Sequence, residues 1–131
     1  MTEPVWLSRA QIEAIHDDQL QQHGGLAGIR APEGLESARA RPLNLFLHEK
    51  TDLAALVVTY AHGIIKNHPF LDGNKRTAFA AAAVFLDMNG VEITMTEQEA
   101  TVMVLSLADG SITRKQFTEL LRQHSRKIKG G

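Results

Sequence analysis

His68-Pro69-Phe70-Leu71-Asp72-Gly73-Asn74-Lys75-Arg76-Thr77 is where residues able to do chemistry crowd together in this chain. The stretch reads as a polar, glycine-containing loop running straight into a helix N-terminus. The first N–H groups of a helix lack intrahelical partners and carry about half a positive charge between them, so a phosphate placed there is hydrogen-bonded and attracted at once. Gly73 lets the backbone approach closely. Lys75 and Arg76 add two cations at the helix end where the macrodipole favours acids, a conflict that an anion relieves. Asp72 is a single carboxylate of the kind that holds Mg²⁺ jointly with phosphate oxygens. An imidazole, whose ordinary pKa is about 6.5, is mostly free base at neutral pH, which suits His68 to take a proton from a hydroxyl. Phosphoryl or nucleotidyl transfer asks for positioning, charge neutralisation and one base, and this loop holds all three. Phe70 would pin the loop into the core. Taken singly, His68 could be a turn residue, Asp72 or Asn74 a helix cap, and Lys75 and Arg76 solvated charges. Their concurrence, in fixed order between two helices nearly free of charge, favours a site.

Weaker candidates lie outside this loop. The pairs His16/His23 and His62/His68 lack i, i+4 spacing and no acidic cluster joins them, which argues against zinc. His62 sits on an apolar helix and reads as a satisfied core histidine. Gly28-Ile29-Arg30 reads either as a plain connection or as a surface supporting the active loop or a neighbouring flap.

The elements that must position the loop can be traced from capping and periodicity. Ser8 with Gln11 reads as a capping box opening a helix over about 8–23, stopped by Gly24-Gly25. Pro32 opens a short second helix through Leu35, Ala38 and Ala40, with Pro42 just past its end. Leu43 to His48 alternates apolar and polar residues, which predicts an extended strand or flap. Thr51 or Asp52 caps a largely buried helix from Leu53 to Lys66. A second buried helix runs from about Lys75 to Met88 and stops at Asn89-Gly90. Thr96/Glu99 and Thr113/Gln116 are two further capping boxes, opening helices to about Ala108 and His124. The tail from Arg126 to Gly131 reads as frayed. The expected class is all-α: a bundle of about six helices, with a small flap or hairpin near residues 43–50.

Composition bounds the rest. The 131 residues fit one domain, 1–131, and 44% hydrophobic with 22% charged residues describes a globular chain. A net charge of -1 provides no global basic field, so no nucleic-acid binding is expected and any anion site must be local. The absence of cysteine excludes disulfides, thiolate metal sites and cysteine nucleophiles. Met1 to Leu7 has no basic region followed by an apolar stretch, so no signal peptide is expected, and the longest apolar run, Ala78 to Leu86, is far short of the ~18–20 residues of a membrane span. A cytoplasmic protein that does not engage membranes is the expectation.

The run His68 to Arg76 resembles the signature loop of the Fic/Doc superfamily. The resemblance extends to Ile15-His16, Gly24-Gly25, Gly28-Ile29-Arg30 and Leu35-Glu36-Ser37-Ala38-Arg39-Ala40-Arg41-Pro42, which look like the N-terminal half of Doc-type (death-on-curing) proteins, so it covers most of the chain. It implies His68 as the base for a target hydroxyl, Phe70 as a core anchor and Asp72 as the Mg²⁺ ligand. It also implies Gly73 and Asn74 as an anion hole and Arg76 as a phosphate contact, and it places the target-docking flap of related proteins around Phe46.

Fic enzymes that transfer AMP usually carry glycine after the motif asparagine and a second arginine three residues beyond the first; Lys75 and Phe79 stand there instead, and both are Doc-like. Lys75 would fill space and supply charge where nucleotide phosphates otherwise sit, turning the donor to present its γ-phosphate. The resemblance therefore implies an ATP-dependent Ser/Thr kinase of Doc type using ATP and Mg²⁺, a toxin of a toxin–antitoxin module, with elongation factor Tu as target and arrest of translation as outcome. The alternatives are AMP transfer on the Fic model and a non-catalytic binding module that kept the fold. Many Fic proteins restrain themselves with Ser or Thr followed four residues later by Glu. No Ser or Thr here has Glu at that spacing, which implies restraint by a cognate antitoxin.

Overall fold

A computed structural model describes residues 1–128. Among them are six helices, α1 (Arg9–His23), α2 (Pro32–His48), α3 (Leu53–Asn67), α4 (Asn74–Met88), α5 (Glu97–Asp109) and α6 (Arg114–Gln123), and two short strands, β1 (Val91–Ile93) and β2 (Ser125–Lys127). The expected helical bundle with one small strand pair is therefore present. All three capping boxes form: Ser8, Thr96 and Thr113 each accept the backbone N–H three residues on, and Gln11, Glu99 and Gln116 reach back.

The core is built around α3. Leu56, Val57, Tyr60, Ala61 and Ile64 are essentially inaccessible, so this helix has neighbours on nearly every side. Two of them come close because their contact residues are small. Against α2, a Cβ built on Gly63 would stand 3.0 Å from both Cα and Cβ of Ala38, so any side chain there would push the helices apart. Against α4, the buried Ala78, Ala81 and Ala82 leave room for Phe85, which meets Tyr60 with ring centroids 5.0 Å apart. Asp52 caps α3 by accepting from Ala55 N–H and also takes Nε and Nη2 of Arg122 at 2.8 and 3.2 Å, tying α6 to the start of the core helix. That guanidinium holds the Asp52 carboxyl below the usual carboxylate range. The chain before α1 is fixed by Asn89, whose amide pairs with both backbone groups of Val5.

Four expectations are corrected. The second helix does not stop before Pro42; α2 continues through it to His48. Pro42 removes one backbone donor, but its ring is buried and continues the helical stripe Leu35, Ala38, Pro42, Leu45, Phe46. Phe46 packs edge-on against Trp6 with centroids 5.7 Å apart. Burial of a period-3.6 face thus outweighs the local period-2 alternation of 43–48, and no extended flap lies at 43–50. The strand pair forms instead between β1 and β2, antiparallel, with Glu92 opposite Arg126. Arg126 and Lys127 are consequently not frayed; the rest of that expectation, at 129–131, lies outside the described residues. Finally, His62 is not satisfied: its Nδ1 is buried without a hydrogen-bond partner, and burial together with the nearby cations of Arg114, Lys66 and Arg41 holds its pKa down.

Candidate active site

The α3–α4 connection is shaped by an abrupt end to α3. His68 adopts the left-handed conformation, φ 45° and ψ 58°, and is the only non-glycine residue with positive φ among those described. For a residue with a Cβ this costs roughly 1–2 kcal/mol, so surrounding contacts must hold it. Arg30 does so, donating from Nε to the His68 carbonyl at 2.7 Å and from Nη2 to the Asn67 carbonyl at 2.8 Å. A cation there also meets the negative end of the α3 dipole. The backbone around Arg30 adds a second grip: Arg30 N–H and Ala31 N–H donate to the Pro69 carbonyl, and Leu71 N–H donates to the Gly28 carbonyl. Gly28 adopts φ 127°, a conformation that residues with a Cβ rarely take, so glycine suits this position. Of the two readings of 28–30, the supporting surface is the one observed.

Phe70 is 1% exposed and lies beneath the loop. Asn74 closes the loop over it, accepting Phe70 N–H at Oδ1 and donating from Nδ2 to Phe70 C=O, both at 3.0 Å. Its side chain is thus committed to the loop, and only its backbone N–H, at the start of α4, is available to an anion. Gly73, φ 76°, leads into that helix, where the first-turn N–H groups have no intrahelical acceptors. Asp72 Oδ1 accepts Gly73 N–H at 2.9 Å, while Oδ2 has only a long 3.3 Å contact from Leu26 N–H. Arg76 donates from Nη2 to the Gly24 carbonyl at 3.1 Å, and its Nε is buried without a partner.

His68, Asp72, Gly73, Asn74, Lys75 and Arg76 all line one open cleft of about 990 Å³, walled by α1, α4 and α5, and Phe79 lines it too. Every residue expected to act is therefore brought to one surface or, for Phe70, directly beneath it. Asp72 fits a hard divalent cation: its carboxylate is exposed at the cleft, with one oxygen only weakly engaged. Among the described residues no three His, Cys, Asp or Glu side chains converge, so a cation here would take its other ligands from phosphate and water.

For two supporting residues, Arg30 and His16, sequence reasoning does not identify the partner. Arg30 carries no local mark of its task, since its partners are carbonyls 37 and 38 positions away. His16 had one: it follows Ile12 on the buried stripe of α1, and a polar side chain there needs a partner. It lies stacked on Phe70, rings 3.8 Å apart and 7° from parallel, with Nε2 2.8 Å from the Asp72 carbonyl oxygen.

The fold and this loop define the class. Residues 6–86 match the model of the Fic/DOC family, and the chain belongs to that family. It is 31% identical over 118 residues to "Protein kinase doc" of Escherichia phage P1, covering 89% of this chain and 93% of that protein. It is also 38% identical over 76 residues to "Toxin Doc" of Mycolicibacterium smegmatis, covering 53% of this chain and 55% of that one. Its similarity is thus to the Doc branch. No helix among the described residues is long and apolar enough to cross a membrane.

Proposed function

We propose that this chain is a Doc-type toxin that transfers the γ-phosphate of ATP to a Ser or Thr hydroxyl of a protein, with elongation factor Tu as the target and arrested translation as the consequence. The observation that carries the reading is that His68, Asp72 and the open N-terminus of α4 line one cleft. Phosphates bind the first-turn N–H groups of α4 and the cations of Lys75 and Arg76. The target hydroxyl oxygen attacks the γ-phosphorus while His68 takes the hydroxyl proton; the bond to the β-phosphate oxygen breaks, and ADP leaves. Asp72 would hold Mg²⁺, which neutralises charge on the phosphates. Lys75 and Phe79 favour this donor orientation over AMP transfer, since Lys75 fills space and adds charge where nucleotide phosphates otherwise sit, and Phe79, which also lines the cleft, supplies no second cation.

Restraint is assigned to a cognate antitoxin. Arg76 meets a backbone carbonyl rather than a carboxylate, and the sequence lacks the Ser/Thr-to-Glu spacing of an internal inhibitor. The protein acts in the cytoplasm, where its proposed target resides. The deciding experiment incubates the purified chain and elongation factor Tu with Mg²⁺ and ATP labelled at either the α or the γ position. Label from γ on the target supports the reading. Label from α would make the chain an AMP transferase, and no label under conditions that support nucleotide binding would remove elongation factor Tu as the target.

A further inference from the structure

We infer that His16, on α1, is a positioning residue that aims the Asp72 carboxylate at the cation site. The inference rests on the reading of Asp72 as the metal ligand and adds to it a residue outside the signature loop.

A backbone carbonyl can only accept, so the 2.8 Å contact from His16 Nε2 to Asp72 O requires the hydrogen to sit on Nε2. The peptide unit is planar and trans, with C=O and N–H pointing in opposite directions. Fixing the Asp72 C=O therefore also fixes the N–H of Gly73. That N–H donates to Asp72 Oδ1 at 2.9 Å. The chain of contacts thus runs from the imidazole through one rigid plane to one carboxylate oxygen, and leaves Oδ2, beside Gly25 and met only by the long contact from Leu26 N–H, as the oxygen with capacity for a cation. Without an outside anchor this plane would be free to turn, because the residue after it is a glycine at φ 76° with no Cβ to resist rotation.

The imidazole is well held for such a task. It is 2% exposed, and its ring lies flat on Phe70, which is itself 1% exposed and pinned by Asn74. The donor therefore has almost no freedom of its own, as for outer residues that orient a metal ligand.

His16→Phe keeps a ring over Phe70 and deletes the donor; His16→Gln keeps a donor and deletes the ring. Mn²⁺ binding to each full-length variant in the presence of ADP, followed by electron paramagnetic resonance, reads the cation site without any turnover. His16→Phe is expected to weaken Mn²⁺ binding about tenfold or more, with His16→Gln recovering most of it whatever the order of their melting temperatures. Wild-type Mn²⁺ affinity in His16→Phe, or equal losses in both variants, overturns the inference. Asp72→Ala in the same titration separates the two levels: if it too binds as wild type, the metal-ligand reading itself is wrong. Should His16→Phe not fold, the ¹⁵N shifts of the histidine rings in the wild-type protein decide. An Nε2–H tautomer at His16 supports the role and an Nδ1–H tautomer overturns it.

Discussion

Arg30 grips His68 by its backbone rather than by its imidazole: the guanidinium Nε donates to the His68 carbonyl at 2.7 Å, while His68 lines the cleft. The proposed base is thus held in a left-handed conformation by a residue that never approaches the reacting atoms. Arg30→Met keeps the aliphatic stem and removes both donors. It is expected to lower kcat about 10²-fold through misplacement of the base, with KM for ATP nearly unchanged because the anion-binding end of α4 is untouched. Steady-state kinetics at saturating and limiting ATP check this, and a rise in KM alone would contradict it.

His68→Ala is expected to cost about 10²–10⁴-fold in transfer, the usual range for loss of a general base. Nucleotide binding, measured by calorimetry, should persist, because the phosphates are met by α4 and its cations. Parallel loss of both would mean that His68 is a binding residue.

The unpartnered Nδ1 of His62 makes a prediction about pH. Burial and the surrounding cations depress its folded pKa, whereas the unfolded chain protonates near the ordinary value of about 6.5. Between the two values the unfolded state binds more protons, so stability is complete above that pH and declines as pH falls below it. His62→Gln should flatten the decline. Denaturant unfolding at pH 7.5 and 5.5 measures it, and identical pH slopes for the two proteins would remove His62 as the cause.

Expression of the chain alone in bacteria should arrest growth, and His68→Ala should relieve the arrest at equal soluble yield. Normal growth with folded wild-type protein present would refute the toxin reading.

How legible all this was depends on the range of the interaction. The three capping boxes, the αα connection and the loop residues His68 to Arg76 are written in adjacent positions, and the structure places them where the sequence does. The failures are of longer reach. Pro42 and the alternation of 43–48 argued locally against helix, and only the packing of Leu45 and Phe46 on the core overrules them. β1 meets β2 across more than thirty residues with three-residue strands too short to show a period. The expectation of an anion hole at Gly73 and Asn74 does not say what the Asn74 side chain does, and the structure commits it to both backbone groups of Phe70. His16 and Arg30 act on carbonyls, which every residue possesses, so nothing in the loop sequence advertises them.

The dependence of the loop on α1 sets an order of failure on heating. α1 buries only Ile12 and His16 of its fifteen residues, and the Gly24–Leu26 turn that follows it touches Asp72 and Arg76. Such a lightly attached helix lies at the low end of local opening free energies, well below the α3–α4 core. When it lifts, the stack on Phe70 and the tether to Asp72 go with it while the interior stays intact. The proposed site is accordingly expected to come apart before the fold melts, so that a population warmed toward its transition holds native-looking chains with a disassembled cleft.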